Sequence, residues 1–432
     1  MSKKSIIPVL IGLLLMSGFL SYGRNNDSIP ESDTASVKDC EQKDIKDLLR
    51  NKDKPWKPPR KVMLLILPNI GSNPANGFYY GVGGSVGWYF GPKEITRVSF
   101  IGFTLLYTTK KQFITYSKSN IYTAGDKLFL QGDWRFYIYK APTWGLGTNS
   151  PVDIIPEECI VWQGNAVDEP EEIYEMSYNY IRIHEIVNYK IRKYFYGGIG
   201  YHLDIYSKIT DESLNLDTNS LKLTPHYLYS RKYGFNPDKY SLSGLSLNIV
   251  YDSRDNMISP YKGIYANINY RYNPVFFGSD RNSTSLWLEF RTYLPLSKKT
   301  PRHLIGFWTY GNFQVSGHQP YLTLMALGQD LKERSGRGYE AGRYRGENIV
   351  YAEMEYRFPI SQCSKILGGV LFVNATTASN NSNNVPLFEY VRPGVGFGLR
   401  LMINKYFRTN ITFDIGLGYR SKGFYFSGTE TF

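Results

Sequence analysis

The chain has 432 residues, a formal net charge of +12, 42% hydrophobic residues and 16% aromatics, including 37 tyrosines. After residue 23 its longest aliphatic run is "VMLLIL" (Val62–Leu67), which excludes a transmembrane helix there. Three widely spaced cysteines (Cys40, Cys159, Cys363) give no legible disulfide framework and no CxxC metal spacing. Lysine and arginine concentrate in short connections such as "TTKKQ" and "LSKKTPR". That placement reads as charged turns at a membrane rim, with lipopolysaccharide or phospholipid contact as the second reading.

In chain order, Lys3 and Lys4, an apolar run from Ile6 to Leu20 and the small residues of Ser21-Tyr22-Gly23 predict a secretory signal peptide over 1–23. An uncleaved N-terminal anchor is the alternative. Export argues against nucleic acid as a partner, and none is expected. Residues 24–60, polar and ending in "KPWKPPRK", predict a periplasmic tether with a short helix around "CEQKDIKDLL".

From residue 61 to 432 the period becomes two. In "KGIYANINYRY" Ile264, Ala266, Ile268, Tyr270 and Tyr272 share one face, while Tyr265, Asn267, Asn269 and Arg271 share the other. In "YAEMEYRFP" Met354, Tyr356 and Phe358 alternate with Glu353, Glu355 and Arg357. In "ITFDIGLGY" Ile411, Phe413, Ile415 and Leu417 alternate with Thr412, Asp414, Gly416 and Gly418. Apolar faces ending in aromatics, set against faces of mixed charge and glycine, fit lipid outside and a hydrated lumen inside. A soluble sandwich also alternates, so loop length supplies the second test. Sixteen strands are expected, the first near 61–70 and the last at 423–432. Odd-to-even connections such as 141–171, 206–240, 316–347 and 377–390 are long, and the even-to-odd ones are short. The expected fold is therefore all-β: a transmembrane antiparallel β-barrel of about sixteen strands, with long extracellular loops and short periplasmic turns. The terminal "GFYFSGTETF" places Phe424, Phe426 and Phe432 where outer-membrane barrels carry an aromatic assembly signal.

No catalytic centre, metal site or cofactor is expected. "GGSVG" (Gly83–Gly87) matches G-x-S-x-G but lies within an alternating strand instead of a strand–turn–helix elbow. The five histidines show no HExxH spacing and no local pairing. "GRGYEAGRYRG" lacks the lysine and hydroxyl of a phosphate loop, and a strand follows it.

These segments resemble the Omp85 superfamily, in particular the surface antigen D15 or BamA/TamA type. "YDSRDNMISPYKG" is similar to the family's turn with D-x-R-x-N, Pro and Gly, here Asp252, Arg254, Asn256, Pro260 and Gly263. "GRGYEAGRYRGENIVYAEMEYRFPI" resembles the sixth loop and the strand after it. "GGVLFVNATTAS", "VRPGVGFGLRLMI", "TNITFDIGLGY" and "GFYFSGTETF" resemble the closing strands in order. The resemblance implies that the loop folds into the barrel with Arg337, Gly338 and Tyr339 at its tip. It further implies that Arg337 pairs with lumen carboxylates. Glu355 matches one acidic position; the second falls at Asn374, where the family usually has aspartate, and Glu353 shares its face with Glu355. Insertases of the superfamily carry periplasmic POTRA domains, each roughly twice the length of residues 24–60, so none is expected there. The implied role is outer-membrane protein or lipid assembly or translocation in a Gram-negative bacterium, alone or as an accessory. A channel or structural barrel without insertase activity is the alternative. Expected partners are outer-membrane lipid including lipopolysaccharide, the assembly machinery during insertion, and an outer-membrane complex.

Overall fold

β-branched and aromatic side chains at alternate positions favour pleated strands whose two faces meet different solvents. In the computed structural model this pattern resolves into sixteen strands. The structure describes residues 42–49, 62–73, 76–150, 161–162, 165–166, 173–298, 300, 302–331, 333–361 and 363–432. The expected signal peptide (1–23) and most of the expected tether lie outside them.

The strands are β1 (Val62–Asn73), β2 (Gly77–Trp88), β3 (Ser99–Thr108), β4 (Phe113–Tyr122), β5 (Leu128–Thr143), β6 (Tyr174–Arg192), β7 (Phe195–Asp211) and β8 (Tyr240–Asp252). They continue as β9 (Gly263–Asn273), β10 (Ser283–Pro295), β11 (Leu304–Gly317), β12 (Asn348–Pro359), β13 (Leu367–Ala378), β14 (Arg392–Asn404), β15 (Thr409–Gly418) and β16 (Ser421–Ser427). All pair antiparallel with their sequence neighbours in a single sheet. A small hairpin (Val161–Trp162 with Asn165–Ala166) sits within the β5–β6 connection.

The faces fall as the alternation requires. Ile249, Ile268 and Leu288 pair in one row across β8–β10. The first two are exposed on the outer wall, as are Met354, Phe413 and Leu417. Glu353, Glu355, Arg357 and Asp414 are buried on the inner wall. Ser85 lies inside β2 and not at a turn, which removes the nucleophile-elbow context from "GGSVG". Contacts that cut across the sheet define an enclosed lumen: Arg97, before β3, pairs with Asp252 on β8, and a Cβ at Gly87 on β2 would meet Phe407. At the edges, β1 and β16 approach each other, yet the hydrogen-bonded order begins at one and ends at the other. This is a seam without a ladder.

Three boundaries differ from expectation. The last strand ends at Ser427, not 432, because the following residues turn inward. Phe432 is buried against Trp308 and Tyr293, and its backbone oxygen accepts from Arg357 Nη2 at 3.0 Å. The expected helix over "CEQKDIKDLL" covers only α1 (Ile45–Leu49). The β7–β8 loop contains a further helix, α2 (Pro225–Tyr233), capped by Thr224 at its start and by left-handed Gly234 at its end.

The cysteine reading is also corrected: Cys363 is disulfide-bonded, with its partner outside the described residues. One bridge between residues far apart in sequence leaves no spacing pattern to read.

The turn end of the barrel is cross-tied. Asp252 accepts from Arg254 Nε and Nη2, both at 2.9 Å, and from Tyr122 Oη at 3.2 Å. Asn256 Oδ1 accepts from the backbone of Ile258 and Ser259, Pro260 is buried, and Gly263 adopts φ +107° where a Cβ would strike Ser253 O. The motif residues thus fold one rigid turn, which Arg408 from the β14–β15 turn clamps through Asp255 at 2.7 Å. α1 docks beside it: Lys43 N donates to Ser364 O, and Lys405 Nζ pairs with Asp47 at 3.1 Å.

Candidate functional site

Register prepares the inner wall of β12–β15 to receive a loop. Glu353, Asn374, Gly394 and Gly418 form one inward row, and Glu355, Phe372, Gly396 and Gly416 the next. In these two rows carboxylates therefore stand on β12, while the β14 and β15 positions are reduced to glycine. A Cβ at Gly416 would lie 2.5 Å from Gly338 N, so the loop backbone lies directly on a bare strand.

The loop between β11 and β12 folds into this seat. Arg337 is 2% exposed. Its Nη1 donates to Asp414 Oδ2 at 2.8 Å, and its Nη2 donates to Glu353 Oε1 at 2.6 Å and also to Glu355. The guanidinium stacks 3.6 Å from the Phe372 ring centroid. Burial disfavours this charge, but the three carboxylates outweigh it and hold the Arg337 pKa well above its ordinary value. Gly338 sits at φ +109°, and its N–H donates to Tyr425 Oη at 2.9 Å. Tyr339 Oη donates to Pro393 O and accepts from Tyr419 N at 3.0 Å. The tip therefore holds β12, β14, β15 and β16 together.

All three predicted tip residues meet at this one place, together with Glu353 and Glu355. Asn374 is there too, in a different role: its Nδ2 donates to Arg337 O at 2.9 Å. It orients the loop backbone, while Asp414 supplies the further carboxylate. Asp414 lay on the inward face of "ITFDIGLGY", so its alternation phase was the signal for it. Arg400 binds the other edge of Asp414 and, through Nε, Glu430 at 2.7 Å. Arg357 Nε binds Glu355 Oε2 at 2.6 Å. Phe424 and Phe426 face outward and are exposed, apart from the buried Phe432.

Two features had no sequence signal. Glu333 reaches the opposite wall, pairing with Arg135 of β5 at 2.6 Å and Lys118 of β4 at 3.1 Å. Arg334 turns the other way, to Thr429 O at 2.6 Å and Glu430 O at 3.0 Å. Neighbouring residues thus make a strut across the lumen. The fold also brings together two histidines that are distant in the sequence. Register sets His184 opposite His202 with ring centroids 4.5 Å apart; His184 Nε2 meets Asp204 at 2.9 Å and His202 Nε2 meets Ser246 at 2.8 Å.

Above the tip, aromatic side chains fill the loop end. Tyr178, Tyr206, Tyr229, Tyr240 and Tyr321 pack in one cluster, and Tyr229 Oη donates to Gln319 O at 2.9 Å.

Residues 172–432, the part holding the turn motif, the loop and its seat, match the Omp85 superfamily domain. The chain belongs to the Omp85 superfamily. Similar solved structures include BamA from Haemophilus ducreyi lacking POTRA domains 1–3 (15% identity, TM-score 0.50), covering 87% of this chain and 69% of that one. CdiB from Escherichia coli is also similar (10% identity, TM-score 0.50), covering 87% of this chain and 62% of that one. The chain thus spans less than two thirds of the CdiB chain, and at these identities the likeness speaks to the fold. No match is found among curated proteins.

Proposed function

We propose that this Omp85 barrel resides in the outer membrane of a Gram-negative bacterium and serves assembly or translocation of outer-membrane protein or lipid, alone or as an accessory to a larger complex. In this reading residues 1–23 direct export, 24–60 form a periplasmic tether, and 61–432 form the barrel. Arg337, Gly338 and Tyr339 latch the sixth loop, and the terminal aromatics Phe424, Phe426 and Phe432 serve recognition by the assembly machinery. Outer-membrane lipid, including lipopolysaccharide, surrounds the outer wall.

The observation that carries the proposal is the seam. A strand edge left without a ladder in hydrocarbon has costly unpaired backbone groups, and here β1 and β16 approach without pairing. An edge of that kind can admit a client strand or lipid, whereas a sealed structural barrel has no use for it. The plugged lumen supports the channel alternative less well. The test is a disulfide formed between one cysteine in β1 and one in β16. Locking the seam should lower the outer-membrane protein complement of cells or alter their surface lipid, with recovery on reduction. If locked cells keep a normal protein and lipid census, the assembly reading is lost.

A further inference from the structure

Below the loop-tip cluster, at the turn end of β11–β15, lies a cavity of about 20 Å³ lined by Tyr261, Arg302, Arg357, Arg400, Asn410 and Glu430, among others. Its donors outnumber its acceptors. Arg302 is 7% exposed. It donates from Nη1 to the carbonyls of Lys365 and Ile366, and from Nη2 only to Asn410 Oδ1 at 3.5 Å. Among the described residues no carboxylate pairs with it. The nearest candidate, Glu430, is engaged on both oxygens, by Arg400 Nε and by Asn410 Nδ2, each at 2.7 Å. Arg357 spends Nε on Glu355 and Nη2 on Phe432 O, which leaves its buried Nη1 with no partner. The buried Tyr261 hydroxyl has no partner within hydrogen-bond geometry, and Gln42 beside it donates instead to Met402 Sδ at 2.6 Å. Gly368 leaves room for the Arg302 guanidinium, since a Cβ there would lie 3.1 Å from Nη2.

We propose that this cavity binds one monovalent anion of halide size, chloride being the probe of choice, between Arg302, Arg357 Nη1 and the Tyr261 hydroxyl. A buried guanidinium without a counter-charge is costly. A water molecule would satisfy the idle N–H groups but leave the charge unbalanced. The volume suits a single small occupant. Burial above all, and the neighbouring Arg400 charge, push the Arg302 pKa down in spite of Tyr261 and Glu430, as expected of a cation short of anions. A bound anion would join the β10–β11 turn to β12 and to the inward-turned tail that carries Glu430. The tail's seat, and with it the end of β16, would then depend on the ionic medium.

The test is thermal unfolding of the full chain in detergent micelles, at constant ionic strength, as sodium gluconate is replaced by sodium chloride. The midpoint should rise saturably with chloride, and bromide should substitute while the larger sulfate does not. Arg302→Gln should abolish the dependence. Tyr261→Phe, which removes one donor and should fold in any case, should raise the half-saturating chloride concentration about two- to tenfold. Superimposable chloride and gluconate curves for the unmodified chain would mean that the cavity holds water only. An unchanged chloride response in both variants would place the effect elsewhere. Either result overturns the proposal.

Discussion

The inner walls of the two ends of the sheet are built differently. On β12–β15 buried carboxylates and guanidiniums interlock, with Glu353, Glu355 and Asp414 gripping Arg337 while Arg357 and Arg400 bind their outer edges. On β2 the inward positions are Gly81, Gly83, Ser85 and Gly87, and among the described residues β1–β3 offer the loop no charged partner. From that end the loop's ion pairs are with Lys118 and Arg135, on β4 and β5. The sixth loop therefore immobilises the closing strands and leaves β1–β3 to be held by their own ladders. If the seam opens, β1 is the side free to move.

The largest test of this asymmetry is Arg337→Ala. It strands buried Glu353 and takes one of two guanidiniums from Glu355 and from Asp414, and should destabilise the barrel by about 3–5 kcal/mol. The loss should appear as a lower temperature of heat-modified migration in gels and as protease cleavage within 318–347. Unchanged protection would show that the loop is held by something other than its tip.

Next is acid. Burial raises the Glu430 pKa, but Arg400 and Arg357 overcome it and bring it down from the ordinary 4.5 to about 2. Because the folded value is the lower one, this stabilisation is complete above pH 4.5 and is lost as pH falls towards about 2. It amounts to roughly 3 kcal/mol. Unfolding followed from pH 5 to pH 2 should be steeper for the unmodified chain than for Glu430→Gln, and parallel curves would contradict the assignment.

A smaller effect tests the amide at position 374, where the resemblance implied an aspartate. Asn374→Asp replaces an amide donor with a carboxylate facing Arg337 O, and should cost about 1–3 kcal/mol in the same gel assay. A stabilised variant would mean that Arg337 wants a fourth carboxylate more than its carbonyl wants a donor. The smallest expectation lies on the other wall. Gly83→Ala puts a methyl 3.8 Å from its nearest neighbours, so its effect should stay within about 0.5 kcal/mol. A large loss there would erase the contrast between the walls.

Much of the frame was legible because period two and loop parity are local properties. The sixteen strands, the inward phase of Glu353 and Glu355, and the long fifth-to-sixth, seventh-to-eighth and eleventh-to-twelfth connections all follow from spacing. What escaped depends on paths through space. Glu333 lies four residues before Arg337, yet it meets the opposite wall, and no sequence window contains β4, β5 and the loop together. Phe432 prolongs the aromatic alternation of Phe424 and Phe426, but the pull of Arg357 and Arg400 on the tail overrides the strand pattern. His184 and His202 become neighbours only through the β6–β7 register. α2 was hidden in a loop because "PHYLYSRKY" shows no clean apolar stripe.

The loops at the tyrosine-rich end lean on one another. Gly147 N donates to Arg345 O at 2.7 Å, Thr148 Oγ1 to Tyr390 O at 2.8 Å, and Arg343 Nη1 to Ser150 O at 2.9 Å. Among the described residues, three separate connections are thus tied to one another. In the proposed orientation an antibody or phage that recognises this end would read a composite epitope, which excised peptides from single loops should fail to reproduce. Exchanging one loop would alter the antigenic character of its neighbours as well.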